Sequence, residues 1–263
     1  MTRPGRRYRR AAGRVLAVVV TVALVTGCAG SGRERGDGPA RRTLTVLAAA
    51  SLTDVFTELA GRYEADHPGV RVELVLGSSS ALAAQLLAGA PGDVVATASP
   101  ETMDRVRRAG LAGAPSSFAS NRLRIVVPAA NPGRVTTPAD LARPGVTVAL
   151  CQPEVPCGAA AALLLRRAGL RVRPVTLEND VRAVLTKVVL GEVDAGVVYR
   201  TDVRAGGDAV RGIPVPAAAD VVTRYPISVL TDAAEPGLAE EFVALVRSPA
   251  GRGVLTSAGF GPP

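Results

Sequence analysis

Leu44-Thr45-Val46-Leu47-Ala48-Ala49-Ala50-Ser51-Leu52-Thr53-Asp54-Val55-Phe56 changes its hydrophobic period halfway along. Residues 44–50 are apolar without alternation, as in a strand buried on both faces. From there Leu52, Val55, Phe56, Leu59 and Tyr63 recur at helical spacing until His67-Pro68-Gly69 ends the run. A strand that feeds directly into a helix is the unit of α/β layers, and the alternation continues to the C-terminus. Val70, Val72, Leu74 and Leu76 alternate with Arg71 and Glu73, giving a strand. A helix at 81–88 stops at Gly89, a strand follows at 94–98, and a helix at 101–109 is closed by Gly110. Strands are predicted at 122–127, 146–150, 171–177, 196–199 and 225–230. Helices are predicted at 138–142, 158–168, 180–190 and 238–247, with a shorter one after Pro249. No internal repeat is visible. The expected class is α/β with mostly parallel sheets.

The N-terminal segment sets the compartment. Arg3, Arg6, Arg7, Arg9, Arg10 and Arg14 form a basic cluster without an acidic residue, and an apolar run at 15–25 follows. The run is too short to span a bilayer as a helix but suits a signal peptide. Val25-Thr26-Gly27-Cys28 closes it and resembles the lipobox of bacterial lipoproteins, in which the Cys is acylated and becomes the new N-terminus. The competing reading is a short membrane anchor with an incidental Cys. Residues 29–42, rich in Gly, Ser, Arg and Asp, read as a flexible tether. The expected organisation is a signal peptide at 1–27 and a lipidated Cys28 with tether at 28–42, holding the protein on the outer face of the cell membrane.

The formal charge of +8 misleads about partners. Six of the 31 basic residues precede Cys28; the remaining 25 stand against 23 acidic residues, a net of +2. There is no basic stripe interleaved with aromatics, which are only 3% of the chain, so no nucleic-acid partner is expected.

Two strand ends carry unusual chemistry. Ser51 stands where the first strand becomes a helix, a position that suggests an N-cap, and Gly77-Ser78-Ser79-Ser80-Ala81-Leu82 repeats the arrangement. Each would place free backbone N–H groups and a hydroxyl at the positive end of a helix, a natural anion site. In open α/β sheets ligands bind beyond the carboxyl ends of strands, where both motifs lie. The plain reading is that each Ser merely caps its helix. Three consecutive Ser residues exceed what one cap requires, and the small Ala and Gly neighbours let a ligand approach the backbone. Pro156-Cys157-Gly158 and Glu178-Asn179-Asp180-Val181 are further helix starts whose N–H groups could face a cleft. Tyr199, at the end of Gly196-Val197-Val198-Tyr199, is either a donor or a half-buried packing residue.

Taken together, Ala48-Ala49-Ala50-Ser51-Leu52, Ser78-Ser79-Ser80-Ala81-Leu82, Ala88-Gly89-Ala90-Pro91-Gly92-Asp93, Asp180-Val181-Arg182 and Gly196-Val197-Val198-Tyr199 resemble, in order and spacing, the molybdate-binding proteins of ABC importers. The resemblance spans about 44–260. It implies a two-lobed periplasmic-binding-protein fold of type II with the ligand cleft between lobes. One lobe would be 43–121 plus 226–263 and the other 122–225. That family holds its dianion with two Ser residues, main-chain N–H groups and one Tyr, and no cationic side chain. The first Ser falls on Ser51, the second on Ser79, the Tyr on Tyr199, and main-chain contacts on Val181 and Cys157. The family usually has Ala where this chain has Cys157. No carboxylate is expected among the matched positions, so a fully deprotonated MO4 dianion, molybdate or tungstate, is favoured over a protonated one whose O–H would lack an acceptor. The implied partners are a permease of an ABC transporter and, through the lipid, the membrane. The protein is expected to be a monomer without a cofactor.

Other readings are sulfate or phosphate as cargo and, from a different class, a secreted serine hydrolase. For the latter, Ser51 or Ser79 has no base placed for it. The sole His is His67, at a helix end expected to be exposed, and neither Gly-x-Ser-x-Gly nor Ser-x-x-Lys occurs. Too few His and Cys residues are present for a catalytic metal. After Cys28, only Cys151 and Cys157 remain; an even count outside the cytoplasm favours a disulfide over two unrelated thiols.

If Cys28 is the lipid attachment site, the Cys28→Ala protein will carry no acyl group and will leave the membrane fraction. Metabolic labelling with a palmitate analogue that still marks the variant contradicts the lipobox reading.

Overall fold

The structure, a computed structural model, describes residues 42–263. The basic leader and the Cys28 motif lie outside the described residues, as does nearly all of the tether. Among the described residues no helix is long and apolar enough to cross a membrane.

The opening segment folds as β1 (Arg42–Ala49), a 3-10 turn (Ala50–Leu52) and α1 (Thr53–Asp66). The helix buries Val55, Phe56, Leu59, Ala60 and Tyr63, one face at helical spacing. It ends before Gly69, whose φ of +90° few other residues adopt. Next come β2 (Val70–Gly77), α2 (Ser79–Leu87), β3 (Val94–Ala96) and α3 (Pro100–Arg108). The long β4 (Ser116–Pro128) leads to β5 (Val148–Cys151), α4 (Pro156–Arg167), β6 (Thr176–Glu178) and α5 (Val181–Val189). The chain continues through β7 (Ala195–Tyr199), α6 (Arg200–Ala205), β8 (Val210–Ile213) and β9 (Val222–Val229). It closes with α7 (Pro236–Arg247) and α8 (Pro249–Ser257).

The strands form one hydrogen-bonded path, β2-β1-β3-β9-β4-β7-β5-β6, with β8 on β4. The pairs β1/β2, β1/β3, β5/β6 and β5/β7 are parallel, and β3/β9, β4/β7, β4/β8 and β4/β9 are antiparallel. The sheet is therefore mixed, not mostly parallel as the alternation of elements suggested. The antiparallel pairs all involve β4 or β9, whose long-range pairing leaves no local signature.

Apolar side chains separate into distinct cores. Phe56, Tyr63, Phe118, Tyr225 and Phe242 belong to one cluster, beside a smaller one around Leu47, Leu82 and Met103. Leu123, Ile125, Val148, Val184 and Val197 belong to another. The strand β4 runs from one side to the other, and β9 pairs with its first half. Phe118 and Ala119 pack in the first core while Leu123 and Ile125 pack in the second, and Asn121 pairs with Thr223 at the crossing.

Several local expectations change. The strand predicted at 122–127 begins at Ser116, because Ser116 to Arg122 pair with β9 although their sequence reads as a polar loop. The strand predicted at 171–177 contracts to β6, since β5 is only four residues long and pairs with just Thr176 to Glu178. The short, polar α6 and β8 have no periodicity long enough to reveal them.

Cys151 and Cys157 are joined, with S–S 2.08 Å and Cα–Cα 5.8 Å. The bridge connects the end of β5 to the first turn of α4. Gly158 permits the tight return: a Cβ there would stand 1.8 Å from the Gln152 carbonyl oxygen. Closing so short a loop removes unfolded-state entropy worth about 2 kcal/mol in the chain-entropy model. The Cys151→Ser/Cys157→Ser double variant is expected to lose about that much stability in urea unfolding. Two free thiols in freshly exported wild-type protein, counted by mass spectrometry without reduction, contradict the bridge.

Candidate anion site

Four helix starts meet at one place: the 3-10 turn leading into α1, and the first turns of α2, α4 and α5. Ser51, Ser79, Cys157, Val181 and Tyr199 line a single cavity there, with Ala49, Ala50, Ser78, Ala98, Pro156 and Asp180 completing the wall. The centre of a water-sized sphere moves through about 20 Å³ of it. That is room for one compact group, not for an organic molecule of ordinary size. No Lys or Arg is in the lining. The groups there that favour a negative charge are helix dipoles and first-turn N–H groups, which have no acceptor within their own helices.

The three consecutive serines divide the work. Ser78 is the N-cap of α2 and accepts from Ala81 N–H at 3.2 Å. The buried Ser79 Oγ accepts from Ala98 N–H at 2.8 Å, which leaves its own proton free to point into the cavity. Ser80 Oγ donates to the Glu154 carbonyl at 2.7 Å. Ser51 departs from expectation. It lies inside the 3-10 turn and caps no helix; α1 begins after Leu52 without a side-chain cap. Its hydroxyl is 2.9 Å from the Tyr225 hydroxyl, and both side chains are buried. With the Tyr donating, Ser51 keeps its proton for the cavity.

The second side supplies backbone and phenol. Cys157 is in the first turn of α4, behind Pro156, and Val181 opens α5. Neither N–H finds an acceptor in the structure. Tyr199 is 1% exposed, and its hydroxyl has no hydrogen-bond partner, a costly state for a buried donor unless a ligand meets it. Burial pushes the ionisation of both Tyr199 and Tyr225 well above the usual tyrosine range, so each hydroxyl remains a donor. The Tyr225 ring packs edge-on against Tyr199 and Phe260, with centroids 6.2 and 5.3 Å apart.

A carboxylate that was not expected does reach the wall. Asp180 is the N-cap of α5, and its Oδ1 accepts from Arg182 N–H at 2.8 Å and Ala183 N–H at 3.0 Å. Behind the wall Asp202 is fully buried, and its Oδ2 accepts from Tyr199 N–H at 3.0 Å. Burial pushes the Asp202 carboxyl up to about 7, against the opposing pull of Arg182. The structure also brings Tyr225, Ala98 and Asp202 to the site, none of which was singled out in the sequence. Tyr225 in Arg224-Tyr225-Pro226 carries no local sign of a partner 174 residues away.

His67 is half-buried rather than exposed. It stacks on Tyr63 at 4.0 Å, and its Nε2 lies 2.9 Å from Glu241, so it serves neither serine. Among the described residues no group of three or more His, Cys, Asp or Glu is placed to hold a metal ion.

The fold is the two-lobed fold of the type II periplasmic binding proteins. The periplasmic molybdate-binding protein of Azotobacter vinelandii superposes with a TM-score of 0.70 at 22% identity, over 84% of this chain and 99% of that one. The sulfate-binding protein SubI of Mycobacterium tuberculosis gives 0.72 at 19% identity, over 84% and 87%. Residues 44–261 match the bacterial extracellular solute-binding proteins, and the chain belongs to that family. It is a solute-binding protein, not an enzyme, and its family is an exported one. The molybdate-binding protein ModA of Mycobacterium tuberculosis is 44% identical over 223 residues, 84% of this chain and 85% of its own. A putative ABC transporter substrate-binding lipoprotein of Bacillus subtilis, YvgL, is 32% identical over 253 residues, 93% and 96% of the two chains.

Ser79→Ala removes the acceptor of the buried Ala98 N–H, which is expected to cost the unliganded protein about 1–3 kcal/mol in urea unfolding. Unchanged stability would show that this N–H is satisfied another way.

Proposed function

We propose that the protein captures molybdate, and tungstate as its near-equal in shape and charge, and delivers it to the permease of an ABC importer. Ser51 Oγ, Ser79 Oγ, Tyr199 Oη and the N–H groups of Cys157 and Val181 are the proposed donors. A lipid on Cys28 is the proposed anchor, and the monomer the proposed working form. The proposed lobes are 43–121 plus 226–263 and 122–225, closing over the anion.

One observation supports this reading: the five residues that carry the proposed donors, from five separate segments, line one small cavity with no cationic side chain in its wall. A hydrogen bond to an ion is worth roughly 1.5–3 kcal/mol, so five of them with helix dipoles can hold a dianion removed from water. The same donors discriminate. An anion carrying a proton needs an acceptor, and one oxygen of the wall's carboxylate, Asp180 Oδ1, is already taken by the N–H groups of Arg182 and Ala183, leaving Oδ2 as the acceptor such an anion would have to reach. Cysteine in place of the usual Ala at 157 is compatible, since only its N–H is used.

Isothermal titration of the purified protein is expected to give micromolar or tighter binding of molybdate and tungstate, with sulfate and phosphate at least about a hundredfold weaker, a gap of about 2.7 kcal/mol. Ser51→Ala and Ser79→Ala should each lose about 1.5–3 kcal/mol of binding, and Tyr199→Phe a similar or smaller amount. His67→Ala should bind as the parent does. Equal affinity for sulfate and molybdate contradicts the cargo; Ser variants that bind like the parent contradict the site.

A further inference from the structure

The proposed donors come from two sides of the molecule, and few polar contacts hold those sides together beside the cavity. One is Ser80 Oγ to the Glu154 carbonyl. The other is ionic. Arg182 Nη2 is 2.6 Å from Asp54 Oδ2, across 128 residues of sequence. Both partners neighbour proposed anion contacts: Arg182 follows Val181, and Asp54 stands three residues after Ser51 in the first turn of α1. Arg182 is absent from the cavity wall, so its charge does not serve as a direct contact.

Arg182 is held from behind as well. Its Nε faces Asp202 Oδ1 at 3.1 Å, without the alignment of a hydrogen bond. Asp202 is wholly buried on α6, and its other oxygen holds the Tyr199 N–H. Asp202 and Tyr199 thus belong to the same side as Val181, while Asp54 belongs to the side of Ser51. The guanidinium is anchored at one end and reaches across with the other. Asp54 is more than half exposed, its side chain 58% accessible, so it is not needed to fill the core.

We propose that Arg182 is a positioning residue that clamps the starts of α1 and α5 together over the cavity, and that the Asp54–Arg182 pair sets how long the anion is held. The proposal rests on the anion-binding reading above. The pair forms only when the two sides are together, so breaking it speeds opening and release while leaving the capture step unchanged. An ion pair this accessible is screened by salt, and its effect is accordingly modest.

The test uses the full chain and molybdate as probe, following tyrosine fluorescence by stopped flow while the anion is chased out. Asp54→Asn and Arg182→Gln are each expected to release molybdate about three- to tenfold faster, with the association rate unchanged. The double variant should release no faster than the quicker single variant, because both remove one interaction. Release from the parent should quicken with added sodium chloride more than release from Asp54→Asn. Without anion, Asp54→Asn should melt with the parent, which separates the clamp from a general loss of fold. Parental release from Asp54→Asn, or effects of the two substitutions that simply add, overturns the clamp alone. A parent protein that binds no molybdate overturns the functional reading, and the clamp with it.

Discussion

A doubly charged ion taken out of water with no cation beside it must be met by hydrogen-bond donors on every side. In the proposed site that constraint falls on the backbone. First-turn N–H groups cannot be satisfied within their own helices, and the fold turns this unavoidable deficit toward one point. β1 and β2 end there and pass into α1 and α2, while α4 and α5 start there from the other side. In the proposed site the hydroxyls of Ser51, Ser79 and Tyr199 fill the gaps between backbone donors. Ala98 N–H donates to Ser79 and leaves that hydroxyl's proton free, and Ser51 keeps its own proton when Tyr225 is the donor between them.

Because the donors are divided between two cores, the strands that join those cores matter as much as the site. β4 contributes side chains to both cores, and its first half, Ser116 to Arg122, pairs with β9. The disulfide and Gly158 fix the first turn of α4, with Cys157 in the cavity wall, against β5. Asp202 is used twice, one oxygen accepting from the Tyr199 N–H and the other facing Arg182.

The parts of this arrangement that were legible in the sequence are local ones. The change of period at Ser51, the triple serine before α2 and the strand ending in Tyr199 can be read from neighbours in the chain, and all five nominated residues line the cavity. What could not be read depends on distant pairing. Ser51 looked like a cap because its partner is Tyr225, and nothing near either residue points to the other. The mixed sheet escaped notice for the same reason: its antiparallel pairs join strands far apart in sequence, and the first half of β4 is polar enough to read as a loop. Asp180 was seen as a helix start and not as part of the wall, since a cap directs its carboxylate by local geometry that a motif does not state.

The central claim is that the anion sits among neutral donors and not beside arginines, although the surface offers the latter. Arg122, Arg124 and Arg200 line a separate cavity of about 380 Å³. Crystals of the protein grown with molybdate and measured at the molybdenum absorption edge distinguish the two directly. A single anomalous peak between Ser51, Ser79 and Tyr199 is the expected result. A peak at the arginine cavity, with nothing among the helix starts, would contradict it.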